Sequence, residues 1–229
     1  QPRIFWNSMS PVEKHHLIEA LSFQIGSCIR ESVRQQAVNI LVNVDKELAY
    51  TIADNVGVER PPGNNVSVST RYPSLSIANS PNYAYTQRVG VLIGNNFAEE
   101  EVLEEINQLM KQGVFVDIIS QTLGTVVGNQ GTPLKVDKTF LTSSPYLLDS
   151  LYLVGGDFAN EKQSYQDMMY YTDVMYQHFK PIGIATDATS LLKIHKQNNL
   201  NGVIFAKDNP NFSQEFLVAI AKKRFWDRT

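Results

Sequence analysis

The sequence has one cysteine, no marked excess of either charge and no long apolar run. Because Cys28 is the only cysteine in 229 residues, an internal disulfide is excluded. The net charge is −3, from 20 basic and 23 acidic residues, so we expect no nucleic-acid or membrane partner. No apolar stretch approaches the roughly 18 residues of a membrane span. The first residues, QPRIFWNSMS, lack a starting Met and the layout of a signal peptide, so we expect a processed chain or a fragment.

What remains is an ordinary globular composition. Apolar residues make up 43% of the chain and charged residues 19%, which is enough for one core or two small ones. Two Asn-x-Ser acceptors begin at Asn65 and Asn211, and they would permit glycosylation if the protein is secreted. The compartment therefore stays open between cytoplasmic and secreted.

Residues 1–58 predict helices only. Ser10, Pro11 and Glu13 supply an N-cap, a proline at the first helical position and a reciprocal capping glutamate. Apolar residues then recur at spacings of three and four, and the pattern stops at Gly57. Two or three such helices would be marginal alone, so we expect their apolar faces to dock elsewhere.

Residues 59–87 differ in character from what precedes them. The segment has four prolines, is rich in Ser and Asn, and shows neither a helical nor a strand period. These features are typical of an extended linker. A structureless connection of this length is unusual inside a compact domain, so we interpret it as a domain boundary.

Residues 88–229 alternate strands with helices. Strands are predicted at 88–93, 114–119, 150–154, 182–185 and 203–206, helices at 98–113, 162–179, from 186 to His195 and 213–225, and a hairpin at 125–127 and 134–136. This order predicts an α/β fold: a flavodoxin-like, doubly wound, mostly parallel sheet. Ligands and catalytic groups in such sheets lie at the carboxyl ends of the strands.

Two segments resemble a known family. IFWNSMSPVEKHHLIEALSFQIG and LVNVDKELAYTIADNVG look like the last helices of a haem catalase. A catalase that continues through a proline-rich linker into a flavodoxin-like domain resembles the large-subunit class. The strand order, GNNFAEEEV and LVGG of the third stretch resemble the class I glutamine amidotransferase-like superfamily, which includes cysteine hydrolases.

The second resemblance assigns a candidate site. Active cysteine members carry a Cys where this chain has Thr186, followed by Asp187 and Ala188. The family acid matches Glu101, and the oxyanion amides match Gly155 and Gly156. A thiolate attacks a carbonyl readily, whereas a threonine hydroxyl needs a base within hydrogen-bond reach. The resemblance thus implies a vestigial elbow (Thr186, Asp187 and Glu101), although cryptic hydrolysis or ligand binding stays open.

The predicted helix 162–179 is unusually rich in Met and Tyr. Its apolar area exceeds what one sheet face requires, and such side chains suit contact surfaces. The alternative is burial under the linker or a neighbouring subunit. The candidate interaction residues are Tyr165, Met168, Met169, Tyr170, Tyr171, Met175 and Tyr176.

The resemblances lead to two functional hypotheses. The first is a non-catalytic C-terminal domain of a large-subunit catalase, which stabilises the subunit and the tetramer and holds unfolding client proteins. Its partners would be the catalase core and neighbouring subunits. This segment would bind no cofactor, because the family's Arg-x-x-x-Tyr ligand motif does not occur here. Haem would be bound elsewhere in the parent catalase. The alternative is a residual hydrolase or glyoxalase-like enzyme that uses Glu101 and Thr186.

Overall fold

The chain forms two compact units. The computed structural model describes residues 1–63, 69–189 and 199–228, and the units comprise Gln1–Ser80 and Pro81–Thr229. The division falls within the predicted linker 59–87. The first glycosylation acceptor lies outside the described residues, and so does the part of the helix predicted from 186 to His195 that follows residue 189.

The first unit is helical. Its helices are α1 (Pro2–Ser8), α2 (Pro11–Gly26), α3 (Glu31–Leu41) and α4 (Lys46–Val56). The small core comes mostly from α4, together with Trp6 and Val38. Large apolar side chains stay exposed, including Phe23 at 72% and Ile29 at 97%. Exposed apolar side chains of this kind are expected on helices whose apolar faces dock on another part of the protein.

Glu13 joins the start of α2 to a distant part of the chain. The predicted capping box is confirmed, with the Ser10 side chain accepting from Glu13 N and the Glu13 carboxylate from Ser10 N. The same carboxylate accepts from the Ser76 hydroxyl and the Ile77 amide, each at 2.7 Å. Residues 72–80 contain two short 3₁₀ turns, Pro73–Leu75 and Ile77–Asn79. Through Glu13 this segment belongs to the helical unit.

Glu13→Gln is expected to destabilise the helical unit by about 1 kcal/mol at pH 7 and to release the Ile77 amide. Burial opposes ionisation, but the hydrogen bonds from Ser10, Ser76 and Ile77 outweigh it and lower the pKa of Glu13. A lowered carboxyl pKa stabilises the fold above the ordinary pKa of 4.5, and this contribution is lost as pH falls through the folded value. Hydrogen exchange at Ile77 is the measurement, with exposed Glu19→Gln as control. Equal exchange in both variants would contradict the assignment.

The second unit contains a six-stranded sheet. Its strands are β1 (Arg88–Ile93), β2 (Phe115–Ser120), β5 (Lys138–Thr139), β6 (Ser150–Gly155), β7 (Ile182–Ile184) and β8 (Val203–Phe205), in the order β5-β2-β1-β6-β7-β8. All neighbours in it are parallel. A separate antiparallel hairpin joins β3 (Gly124–Val127) to β4 (Pro133–Val136). Apart from the short edge strand β5, this is the flavodoxin-like order, and the predicted fold is confirmed.

Helices cover both faces of the sheet. Residues of α5 (Glu99–Lys111) and α7 (Phe212–Lys222) pack into one core cluster, and residues of α6 (Lys162–Gln177) into the other. The helix predicted to end at residue 225 ends earlier because Lys223 has a φ of 68°, which breaks the helical path. The chain then turns so that Phe225 N donates to Phe179 O. No described helix has the length and apolarity to cross a bilayer.

Candidate functional site

Thr186 lies two residues after the end of β7, at the carboxyl edge of the sheet. Thr186 and Asp187 are exposed, whereas Ala188 is buried and its amide donates to Ala185 O at 3.1 Å. A nucleophile elbow holds its nucleophile on a sharp, strained turn. The described non-glycine residues with positive φ do not include Thr186. The turn therefore follows the sheet edge without the strain of an active elbow.

Glu101, in the first turn of α5, contacts Thr186 through the backbone. Its Oε1 accepts from the Thr186 amide at 2.9 Å. A general base would have to accept from the hydroxyl instead. Glu101 and Thr186 thus lie in contact, and the bond to the backbone amide holds the turn in place.

The loop matching the oxyanion amides is closed by backbone contacts. Gly155 O accepts from Gly94 N at 2.8 Å, and Asp157 N donates to Asn95 O at 2.9 Å. Gly155 and Gly156 have φ values of 82° and 70°. A Cβ on Gly156 would lie 2.4 Å from Asn95 O. The Asp157 amide, next to the two matched glycines, therefore already has an acceptor.

Glu99 secures the hairpin beside α5. Its Oε1 accepts from the Gln130 and Thr132 amides at 2.8 and 2.7 Å. Burial opposes ionisation, but hydrogen bonds from Thr132, Gln130 and Gly131 outweigh it and lower the pKa of Glu99. A carboxylate in the first turn of a helix interacts favourably with the helix dipole. The bonds to the hairpin give Glu99 a further, specific role, which sequence spacing did not reveal.

A buried polar group lies one helical turn beyond Glu101. Glu105 is 2% exposed, and its Oε2 accepts from the Ser213 hydroxyl of α7. Burial chiefly, together with the charges of Glu101 and Glu104, raises the pKa of Glu105. Glu105 Oε1 and the Tyr152 hydroxyl are both buried without a hydrogen-bond partner among the described residues. The i, i+4 spacing from Glu101 was the available sequence signal.

Glu105→Gln is expected to stabilise the α/β unit by about 1 kcal/mol at pH 7, because the amide copies the neutral carboxyl that burial favours. A raised carboxyl pKa gives stability that is complete below 4.5 and is lost as pH rises through the folded value. The variant should therefore lose this part of the pH dependence in urea denaturation. Exposed Glu100→Gln is the control, and destabilisation by Glu105→Gln at pH 7 would refute the account.

The Met- and Tyr-rich helix α6 is largely core. Met168, Met169, Tyr171 and Met175 are at most 7% exposed, and Tyr165 and Tyr176 are partly buried. Of the seven candidate interaction residues, Tyr170 is the exposed one, at 53%. The surface predicted from composition therefore cannot act as a whole.

The extra apolar area of α6 has a different explanation. Besides the sheet, the helix packs on the segment that follows β5: the Tyr171 and Phe140 rings lie 5.3 Å apart, and the Tyr171 hydroxyl donates to Phe140 O. A helix that contacts two layers needs a wider apolar face than one that contacts a sheet alone.

Two buried cations, Lys180 and Arg228, link segments of the α/β unit that are distant along the chain. Lys180 Nζ donates to the carbonyls of Pro145, Tyr146 and Leu148. Burial, with a smaller effect of Arg224, lowers the pKa of Lys180 to about 8. Arg228, 5% exposed, donates to the carbonyls of Asn201, Tyr176 and Lys180.

The sequence did not predict these contacts. Each cation is far along the chain from most of its acceptors, and backbone carbonyls carry no residue signature. Among the described residues, no group of three or more His, Cys, Asp or Glu side chains could hold a metal ion.

Two family models match the chain. Residues 1–56 match the model described as catalase-related immune-responsive, and residues 85–229 match the C-terminal domain found in long catalases. The chain belongs to the long-catalase family. The second match spans the whole α/β sheet and the elbow that follows β7.

Curated relatives of the family align over the whole chain. It is 39% identical to Catalase-2 of Bacillus subtilis and 36% identical to a catalase of Alkalihalophilus pseudofirmus, and it covers 34% of the length of each. Catalase-B of Dictyostelium discoideum is 28% identical, with the same share covered. The chain thus spans about a third of these long catalases, and the matched family domain is their C-terminal one.

Proposed function

We propose that this chain is the non-catalytic C-terminal part of a long, peroxide-decomposing catalase, in which it stabilises the subunit and the tetramer. The carrying observation is the Glu101–Thr186 contact, in which the carboxylate holds a backbone amide. The tight packing of the neighbouring loop supports the proposal, because the hydrogen bond from Asp157 N to Asn95 O closes this loop on the one after β1. The retained sheet then supplies a stable body and no reaction.

Peroxide chemistry belongs, in this proposal, to the part of the longer protein that the chain does not span. The relatives are named catalases, and the chain covers about a third of them. Haem would be held there, and the exposed apolar side chains of α2 and the segment after it, such as Phe23 and Ile29, would face that region. Neighbouring subunits are the other proposed partner.

Deleting residues 81–229 from the full-length protein tests the stabilising role. The expected result is faster dissociation of the tetramer on heating, with turnover per haem unchanged at 25 °C. Analytical ultracentrifugation after timed heating measures the first quantity and oxygen release the second. A truncated tetramer that dissociates as slowly as the intact one would overturn the proposal.

A second candidate function is holding unfolded proteins, and one surface observation favours it. Exposed apolar side chains occur in the segment after β5, where Leu141 is 94%, Tyr146 58% and Leu147 74% exposed. Exposed Tyr170 of α6 lies near Tyr146. We call these four residues the apolar patch. Exposed apolar patches are typical of protein-binding surfaces.

The holdase candidate is tested by light scattering from a heated client protein. Equimolar chain should suppress the scattering, and the double substitution Leu141→Ser and Leu147→Ser should abolish most of the suppression. Val218→Ser, at a position of α7 that is 57% exposed, is the control. No suppression by the unmodified chain, or equal suppression by the double variant, would remove this candidate.

A further inference from the structure

A polar cavity lies at the same edge of the sheet as the elbow. It measures about 190 Å³ and opens where β2, β1 and β6 end. Its walls include Asn95 after β1, Ser120 and Gln121 at the end of β2, and Asp157, Phe158 and Glu161 after β6. The chain reverses its direction of winding between β1 and β6, and such switch points are where open α/β sheets bind ligands.

The cavity walls are held by contacts that do not depend on a ligand. The buried Ser164 hydroxyl lies 2.9 Å from Glu161 Oε2 and 3.4 Å from Gln121 Oε1. Asn95 Oδ1 accepts from Val127 N at 2.9 Å, which fixes the hairpin that supplies the remaining wall. A preformed site of this kind requires little ordering when it binds.

The charge of the walls selects the ligand. Asp157 and Glu161 contribute two carboxylates, and no lysine, arginine or histidine is among the ten residues that line the cavity. Hydroxyl and amide oxygens add acceptors. A small cation with several N–H donors fits these walls, whereas an anion would be repelled.

Volume and ligand chemistry restrict the cation further. At about 30 Å³ per water molecule, the cavity has room for roughly six waters, which is enough for a short organic molecule. The described residues contain no cluster of three His, Cys, Asp or Glu side chains that could hold a metal ion. We propose that this cavity binds the ammonium end of a small aliphatic amine.

Titration of the ¹⁵N-labelled full chain with 1,4-diaminobutane tests the proposal, with 1,4-butanediol as the neutral isostere. Saturable shifts are expected at the Gly94 amide and the Asn95 and Gln121 side-chain amides, with at least tenfold weaker binding of the diol. Asp157→Asn and Glu161→Gln should each weaken diamine binding threefold to tenfold. Exposed Glu104→Gln, outside the cavity, should leave the affinity unchanged.

Three results would overturn the proposal: shifts that do not saturate, diol binding as strong as diamine binding, or a double variant Asp157→Asn and Glu161→Gln that binds the diamine like the unmodified chain. The cavity does not include Thr186 or Glu101, so this outcome is independent of the non-catalytic role proposed for the elbow.

Discussion

Gly156→Ala is expected to lower the free energy of unfolding of the α/β unit by about 3 kcal/mol. A Cβ at this position would meet Asn95 O at 2.4 Å and Gly94 O at 3.0 Å, and both are backbone atoms that cannot rotate away. The φ of 70° adds about 1 kcal/mol for any residue with a Cβ. Overpacking against fixed atoms supplies the remaining 2 kcal/mol or so. Urea denaturation monitored by far-UV circular dichroism measures the loss.

Gly131→Ala separates the two contributions to this loss. Gly131 also has a positive φ, 99°, but a Cβ there meets no atom within 4 Å. We expect a loss of only about 1 kcal/mol, from the backbone term alone. Equal losses in the two variants would mean that the loops after β1 and β6 do not close on each other as the structure shows.

Arg228→Ala is expected to destabilise the α/β unit by about 2 to 3 kcal/mol. The guanidinium donates to three carbonyls at 2.7, 3.2 and 3.0 Å. It also lies 4.7 Å from the Tyr176 ring centroid and 5.7 Å from that of Phe225. Removing it leaves buried acceptors without a donor and opens a space beside two rings. Thermal unfolding is the measurement.

Lys207→Ala is the matched control for Arg228, because Lys207 is an exposed cation of the same unit. Its effect should stay within about 0.5 kcal/mol. Arg228→Lys should recover part of the loss, since a single ammonium on a shorter chain cannot reach all three carbonyls. A stability of Arg228→Ala equal to that of Lys207→Ala would show that these contacts contribute nothing.

The fold was accessible from the sequence because its signals are local. The Ser10 and Glu13 cap, the alternation of apolar strands with helices and the Gly-Asn-Gln-Gly turn each lie within a few residues. Glu13 shows where this reasoning stops. The sequence predicted its role in the helix cap. Its hydrogen bonds to Ser76 and Ile77 span more than 60 residues, and no local pattern encodes them.

The candidate site was predictable as a set of positions and not as a set of contacts. Resemblance placed Glu101 near Thr186, and the structure brings them together. Only the structure shows that the Thr186 backbone amide is the donor, because the sequence does not reveal which atom of a residue faces its neighbour. Tyr171 is not a surface residue for a related reason: composition counted its apolar area but not the second layer, at Phe140, that packs against it.

The central claim is that the sheet keeps the edge of an active site without a working nucleophile. The rate of 4-nitrophenyl acetate hydrolysis at pH 7, compared between the unmodified chain and Thr186→Ala, tests it most directly. The account predicts the same slow rate for both proteins, because Glu101 is bonded to the Thr186 amide. A rate at least tenfold higher for the unmodified chain, lost in both Thr186→Ala and Glu101→Gln, would contradict it and establish a residual hydrolase.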